Sequence, residues 1–60
     1  MEIYEVVTSD KRWNIRKNER YTREGNRLTR KLSNGHTKFL LNGQEIIESG
    51  KVRRIENEGG

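Results

Sequence analysis

Nine of the thirteen lysines and arginines lie between Lys11 and Lys31, interleaved with Trp13 and Tyr21. Six of those nine are arginine: Arg12, Arg16, Arg20, Arg23, Arg27 and Arg30. A guanidinium forks onto two phosphate oxygens at once, whereas an ammonium acts as a point charge. Aromatic faces set among such cations are platforms on which bases stack. This stretch therefore predicts binding of nucleic acid, DNA or RNA, through counterion release and with little base specificity. Arg16, Lys17, Arg23, Arg27, Lys31 and Lys38 are the candidate phosphate contacts, and Tyr21 is the candidate stacking residue. An acidic protein surface is the alternative partner. Lysines and arginines on exposed strands also block edge-to-edge association, which is the purely structural use of the same residues.

Other chemistry finds little support. Without cysteine there is no thiolate, no disulfide and no cysteine-based zinc site. His36 is the single histidine and directly follows a turn signal. Glu45 and Glu48 differ in strand parity, so as strand residues they would point to opposite faces. No serine or threonine has a base and an orienting acid nearby in sequence. The expectation is a non-catalytic module without metal or cofactor.

Charge is unevenly spread. Residues 1–10 carry Glu2, Glu5 and Asp10 and no base, while residues 11–31 set nine bases against Glu19 and Glu24. The net charge of +4 is thus concentrated in the middle third of the chain. The apolar run at the start is too short for a signal peptide or a membrane span, and a cytoplasmic location is the default. With 60 residues, 28% of them apolar and 37% charged, the core is small. A homodimer or a bound partner is one way to supplement it.

Turn signals recur at Gly25-Asn26, Asn34-Gly35, Asn42-Gly43 and Ser49-Gly50. Between them lie Arg27–Leu32, His36–Leu41 and Gln44–Glu48, each one strand long. Upstream, Glu2–Thr8 has strong β propensity, and Arg12–Lys17 alternates with Trp13 and Ile15 on one side. Lys51–Glu56 reads as a last short strand. The fold expected is all-β: an antiparallel meander of five to six short strands closing into an SH3-like barrel, an analogy of architecture. The alternative is an α+β fold with a helix at residues 18–33, since Tyr21, Gly25, Leu28 and Leu32 also make a helical stripe. Gly25 and Asn26 at its centre weigh against that helix.

Two-residue loops at Asn34-Gly35 and Asn42-Gly43 would place Leu28, Leu32, Phe39, Leu41 and Ile46 on one face as the core. Leu40 and Ile47 would then fall on the opposite face with Arg27, Thr29, Lys31 and Lys38. At Gly25 two registers stay open. A three-residue loop puts Tyr21 opposite Thr29 on the basic face, and a two-residue loop puts it opposite Arg30 on the core face.

Phe39 to Ile46, with the terminal Gly59-Gly60, resembles the strand-turn-strand piece and activated tail of ubiquitin-like sulfur-carrier proteins. That resemblance implies a terminal carboxylate as reactive group. The same family packs an amphipathic helix after its first hairpin, where this chain is rich in arginine, and Glu56-Asn57-Glu58 lacks the apolar lead-in of such tails. The two glycines are therefore read as the end of a flexible tail, residues 57–60, after a single domain spanning 1–56.

Overall fold

The two hairpins that set the sheet both depend on glycines with positive φ, 61° at Gly25 and 87° at Gly35. In this computed structural model, which describes residues 2–57, the elements are β1 (Glu2–Val6), β2 (Arg20–Glu24), β3 (Arg27–Lys31), β4 (Thr37–Leu40), α1 (Gly43–Glu48) and β5 (Val52–Asn57). The strands form one antiparallel sheet of order β4-β3-β2-β1-β5. The all-β expectation therefore holds for most of the chain. The sheet is open, ending on β4 and β5, and does not close into the expected SH3-like barrel. No helix among the described residues is long and apolar enough to cross a membrane.

Residues 18–33 contain the β2–β3 hairpin and not the alternative helix. Glu24 pairs with Arg27 across a two-residue loop. Positive φ is confined to the first loop residue, Gly25, as in a type II′ turn, whose twist matches that of the flanking strands. This is the register that places Tyr21 on the core face.

The next loop departs from expectation. Leu32 donates its N–H to the carbonyl of His36 (2.8 Å), so the loop is Ser33-Asn34-Gly35, three residues with the glycine left-handed. Thr29 therefore pairs with Phe39 and Arg30 with Lys38. One residue of slip turns every side chain of a strand over. Leu40 enters the core side, while Phe39 and Leu41, expected in the core, are 52% and 68% exposed. Leu32 also stands exposed.

A second correction concerns Asn42-Gly43, which opens α1 where a hairpin was expected. The helix start is capped by the neighbouring turn. The backbone carbonyl of Asn26 accepts from Gly43 N–H (3.1 Å), and the side-chain oxygen of Asn26 accepts from Gln44 N–H (2.7 Å). A Cβ on Gly43 would lie 3.1 Å from that carbonyl oxygen, a tight contact that glycine avoids. Gly50, with φ 81°, stops the helix by donating to the carbonyl of Ile47. With a helix here, the strand-turn-strand piece behind the sulfur-carrier resemblance is not formed. Residues 58–60, which hold most of the expected tail, lie outside the described residues, and β5 itself runs to Asn57.

The chain between β1 and β2 is a folded loop, not the expected strand, with one isolated bridge between Asp10 and Ile15. Asn14 (φ 55°) and Asn18 (φ 80°) take its left-handed positions, where asparagine is tolerated. The loop delivers Trp13 and Ile15, and α1 delivers Ile46, to the same side of the sheet. There they bury Tyr4, Val6, Tyr21, Leu28 and Val52. The protein is thus two layers, with a single covered sheet face.

Candidate nucleic-acid interface

Because successive strand residues point to opposite faces, the face away from the core is fixed by the pairing register. One row crosses it through Ile3, Thr22, Thr29 and Phe39, since Ile3 pairs with Thr22, Thr22 with Thr29 and Thr29 with Phe39. A second row begins Arg53, Glu5, Arg20. It continues along the same register through Lys31, which pairs with Thr37. Beyond the first row, on its other side, stands the closing pair Glu24 and Arg27. Among the described side chains, four cations and two carboxylates therefore flank a strip of hydroxyls, one isoleucine and one ring.

Those cations are loosely held. Glu5 is shared by Arg20 (3.8 Å) and Arg53 (3.7 Å), and Glu24 lies 3.9 Å from Arg27. Charge-assisted hydrogen bonds are about 2.7–2.9 Å long, and exposed pairs of this kind contribute roughly 0–1 kcal/mol. Lys31 has no carboxylate within ion-pair distance among the described residues. An incoming phosphate meets little competition for any of the four. The Arg27 guanidinium also sits over the Phe39 ring, 5.3 Å from its centroid.

No family model, curated protein or solved structure matches this chain. Function has to be read from the side chains themselves.

Of the residues picked out in the sequence, Arg27 and Lys31 share the open face. Arg16 and Lys17 lie exposed on the β1–β2 loop, their amides bound to Glu19 Oε1 (2.9 Å) and Ser9 Oγ (2.8 Å). The other three are on the covered side. Arg23 donates to Gln44 Oε1 and to the carbonyl of Gly25, both at 2.9 Å, and pairs with Glu2, which ties α1 to the sheet. Tyr21 is 1% exposed and is thus unable to offer a face to a base. Lys38 points inward, donating to the carbonyl of Asn14 beside Glu19.

Glu19 is the centre of that inner cluster. It accepts from the Arg16 amide and from the Tyr21 hydroxyl (3.0 Å), with Arg30 and Lys38 at 3.7 and 3.9 Å. Burial pushes its carboxyl pKa up, but these hydrogen bonds and cations outweigh burial and hold it below the ordinary value. For Tyr21, burial followed by the Glu19 hydrogen bond and charge raises the hydroxyl well above its ordinary value. Asp10 is held low, first by the Arg12 amide and then by Lys51. This cluster is architecture: it pins the loop to β2, β3 and β4.

Three residues of the open face stand outside the sequence candidates. Arg20 was one base among nine, Arg53 lay outside the basic segment, and Phe39 was assigned to the core. The signal that would have found Phe39 is Gly35: a three-residue loop with a left-handed glycine puts Phe39 in the row of Thr29. Among the described residues no group of three His, Cys, Asp or Glu side chains is placed to hold a metal ion.

Proposed function

We propose that the open sheet face binds nucleic acid without catalysis and with little base specificity. The observation that carries this reading is the row of Arg53, Arg20 and Lys31, with Arg27 across the strip. Glu5 stands between Arg53 and Arg20, whereas Arg20 and Lys31 are like charges on the adjacent strands β2 and β3; such opposition destabilises a sheet, and a bound polyanion relieves that repulsion. Phosphate contacts supply affinity by counterion release and carry no sequence information. The hydroxyls of Thr22 and Thr29 donate or accept equally, so they suit any base or sugar edge.

The test is fluorescence anisotropy with a labelled oligothymidylate across a salt series. Four phosphates neutralised on a single strand give a slope of log K against log salt near about −2.8. The double variant Arg20→Gln, Arg53→Gln should bring it to about −1.4, while Arg16→Gln, Lys17→Gln on the loop should leave it near the wild-type value. Binding of polyglutamate with no binding of any oligonucleotide at low salt would overturn the reading in favour of an acidic protein partner.

A further inference from the structure

We infer that Phe39 is the residue on which a base stacks, and that the ligand is therefore a single strand and not a duplex. This rests on the reading of the open face as a nucleic-acid interface and adds the ligand class and the residue that selects it.

Phe39 is the one aromatic side chain on that face, and it is half exposed on a surface otherwise made of charges, hydroxyls and Ile3. Its neighbour across the strand pair is Thr29, followed by Thr22 and Ile3. These are side chains too short to wall off a ring. The strip from β4 to β1 spans three strand spacings, roughly 14 Å, along which an unpaired strand can lie extended. The cationic row runs parallel to the strip, two residues along each strand, about 7 Å away. A base seated on Phe39 thus leaves its phosphate within reach of Lys31 on one side or Arg27 on the other. Arg27, already over the ring, can sandwich the base or fork onto the phosphate. In a duplex the bases face one another, so the ring would gain a stacking partner only by unstacking a step.

Self-association through β4 would be the other way to cover the ring. The edge is guarded against it: β4 is four residues long and carries the inward-pointing Lys38, held by Asn14 and Glu19.

The experiment compares three probes of equal length at low salt: oligothymidylate, the same strand built of abasic sites, and a duplex. The variants are Phe39→Leu, Phe39→Tyr and Phe39→Trp. Phe39→Leu should weaken oligothymidylate binding about 5- to 150-fold and leave the abasic strand unaffected. Phe39→Tyr should restore the loss, and the fluorescence of Phe39→Trp should be quenched by the strand with bases and not by the abasic one. Full affinity of Phe39→Leu for oligothymidylate, or equal affinity of the wild type for duplex and single strand, would overturn the stacking assignment while leaving the charge reading in place. A wild type that bound none of the three probes would overturn both. A sedimentation coefficient that rises with protein concentration in the wild type and not in Phe39→Leu would overturn the assignment in favour of a second copy.

Discussion

Replacing Glu19 tests whether the loop that buries Trp13 and Ile15 is held as described. Glu19→Ala removes the acceptor of the Arg16 amide and of the Tyr21 hydroxyl, and it leaves Arg30 and Lys38 facing each other without a counter-charge. A hydrogen bond to a charged group contributes about 1.5–3 kcal/mol. With partial replacement by water, the loss should be about 2–4 kcal/mol. A domain of this size has roughly 3–9 kcal/mol in all, and each kcal/mol moves Tm by about 4–8 °C, so Tm should fall by at least about 8 °C. Glu19→Gln keeps an acceptor and loses the charge, and neutral hydrogen bonds are about half as strong; its Tm should fall by about 4–16 °C. The assay is thermal melting followed by Trp13, the sole tryptophan, which is buried. The pH dependence is a second readout. A carboxyl held below its ordinary value of 4.5 stabilises the fold above that pH, and this contribution is lost as pH falls from about 4.5 through the lower folded value. The acid limb should be shallower in Glu19→Gln, with Asp10 supplying the remainder. Both variants melting within about 2 °C of wild type at neutral pH, or an unchanged acid limb, would refute the role given to Glu19.

Leu28 is fully buried beneath α1 and the loop. Leu28→Ala should cost about 2–5 kcal/mol, which a urea titration will register as a lower unfolding midpoint at unchanged slope. Gly43→Ala forces a Cβ to 3.1 Å from the Asn26 carbonyl and 3.3 Å from Leu28 Cγ, and should cost about 1–3 kcal/mol by overpacking, read in the same titration. Asn26→Ala removes the side-chain cap on Gln44 and should cost about 0.5–2 kcal/mol, with faster hydrogen exchange at the α1 amides. Tyr21 stays protonated in the fold above the ordinary tyrosine value of 10.0, so its contribution is full below that pH and is lost as pH rises beyond it; alkaline melts of Tyr21→Phe should show a weaker decline.

How much of this was legible in the sequence turns on a few residues. The first strand, expected over Glu2–Thr8 and formed over Glu2–Val6, the hairpin at Gly25-Asn26 and the core place of Leu28 followed from propensity, parity and turn chemistry, whereas Ile46 is buried as a helix residue and not through the expected strand parity. The helix was masked because Asn42-Gly43 mimics a hairpin turn and Ile46-Ile47 favours a strand. Asn42 with Glu45 three residues later, and Gly50 beyond, were the competing helix signals. Tertiary contact decided it, since Asn26 caps the helix from another loop and no local pattern records that. The open face was half legible. Basic residues were visible as a segment, but which of them share a face depends on loop length, and one residue at Gly35 exchanged Phe39 for Leu40. The sequence does not show that Arg23 and Lys38 lie on the covered side, because a charged side chain looks the same there whether it faces solvent or binds Gln44 or Asn14.

The most direct measurement of the open-face assignment is a carbon–proton NMR titration of side-chain methyls and the Phe39 ring with oligothymidylate at low and moderate salt. Shifts should concentrate on Ile3, Thr22, Thr29 and Phe39, fade with salt, and spare the covered Val6, Leu28 and Ile46. Shifts confined to the β1–β2 loop and α1, or none at millimolar oligonucleotide in low salt, would contradict it.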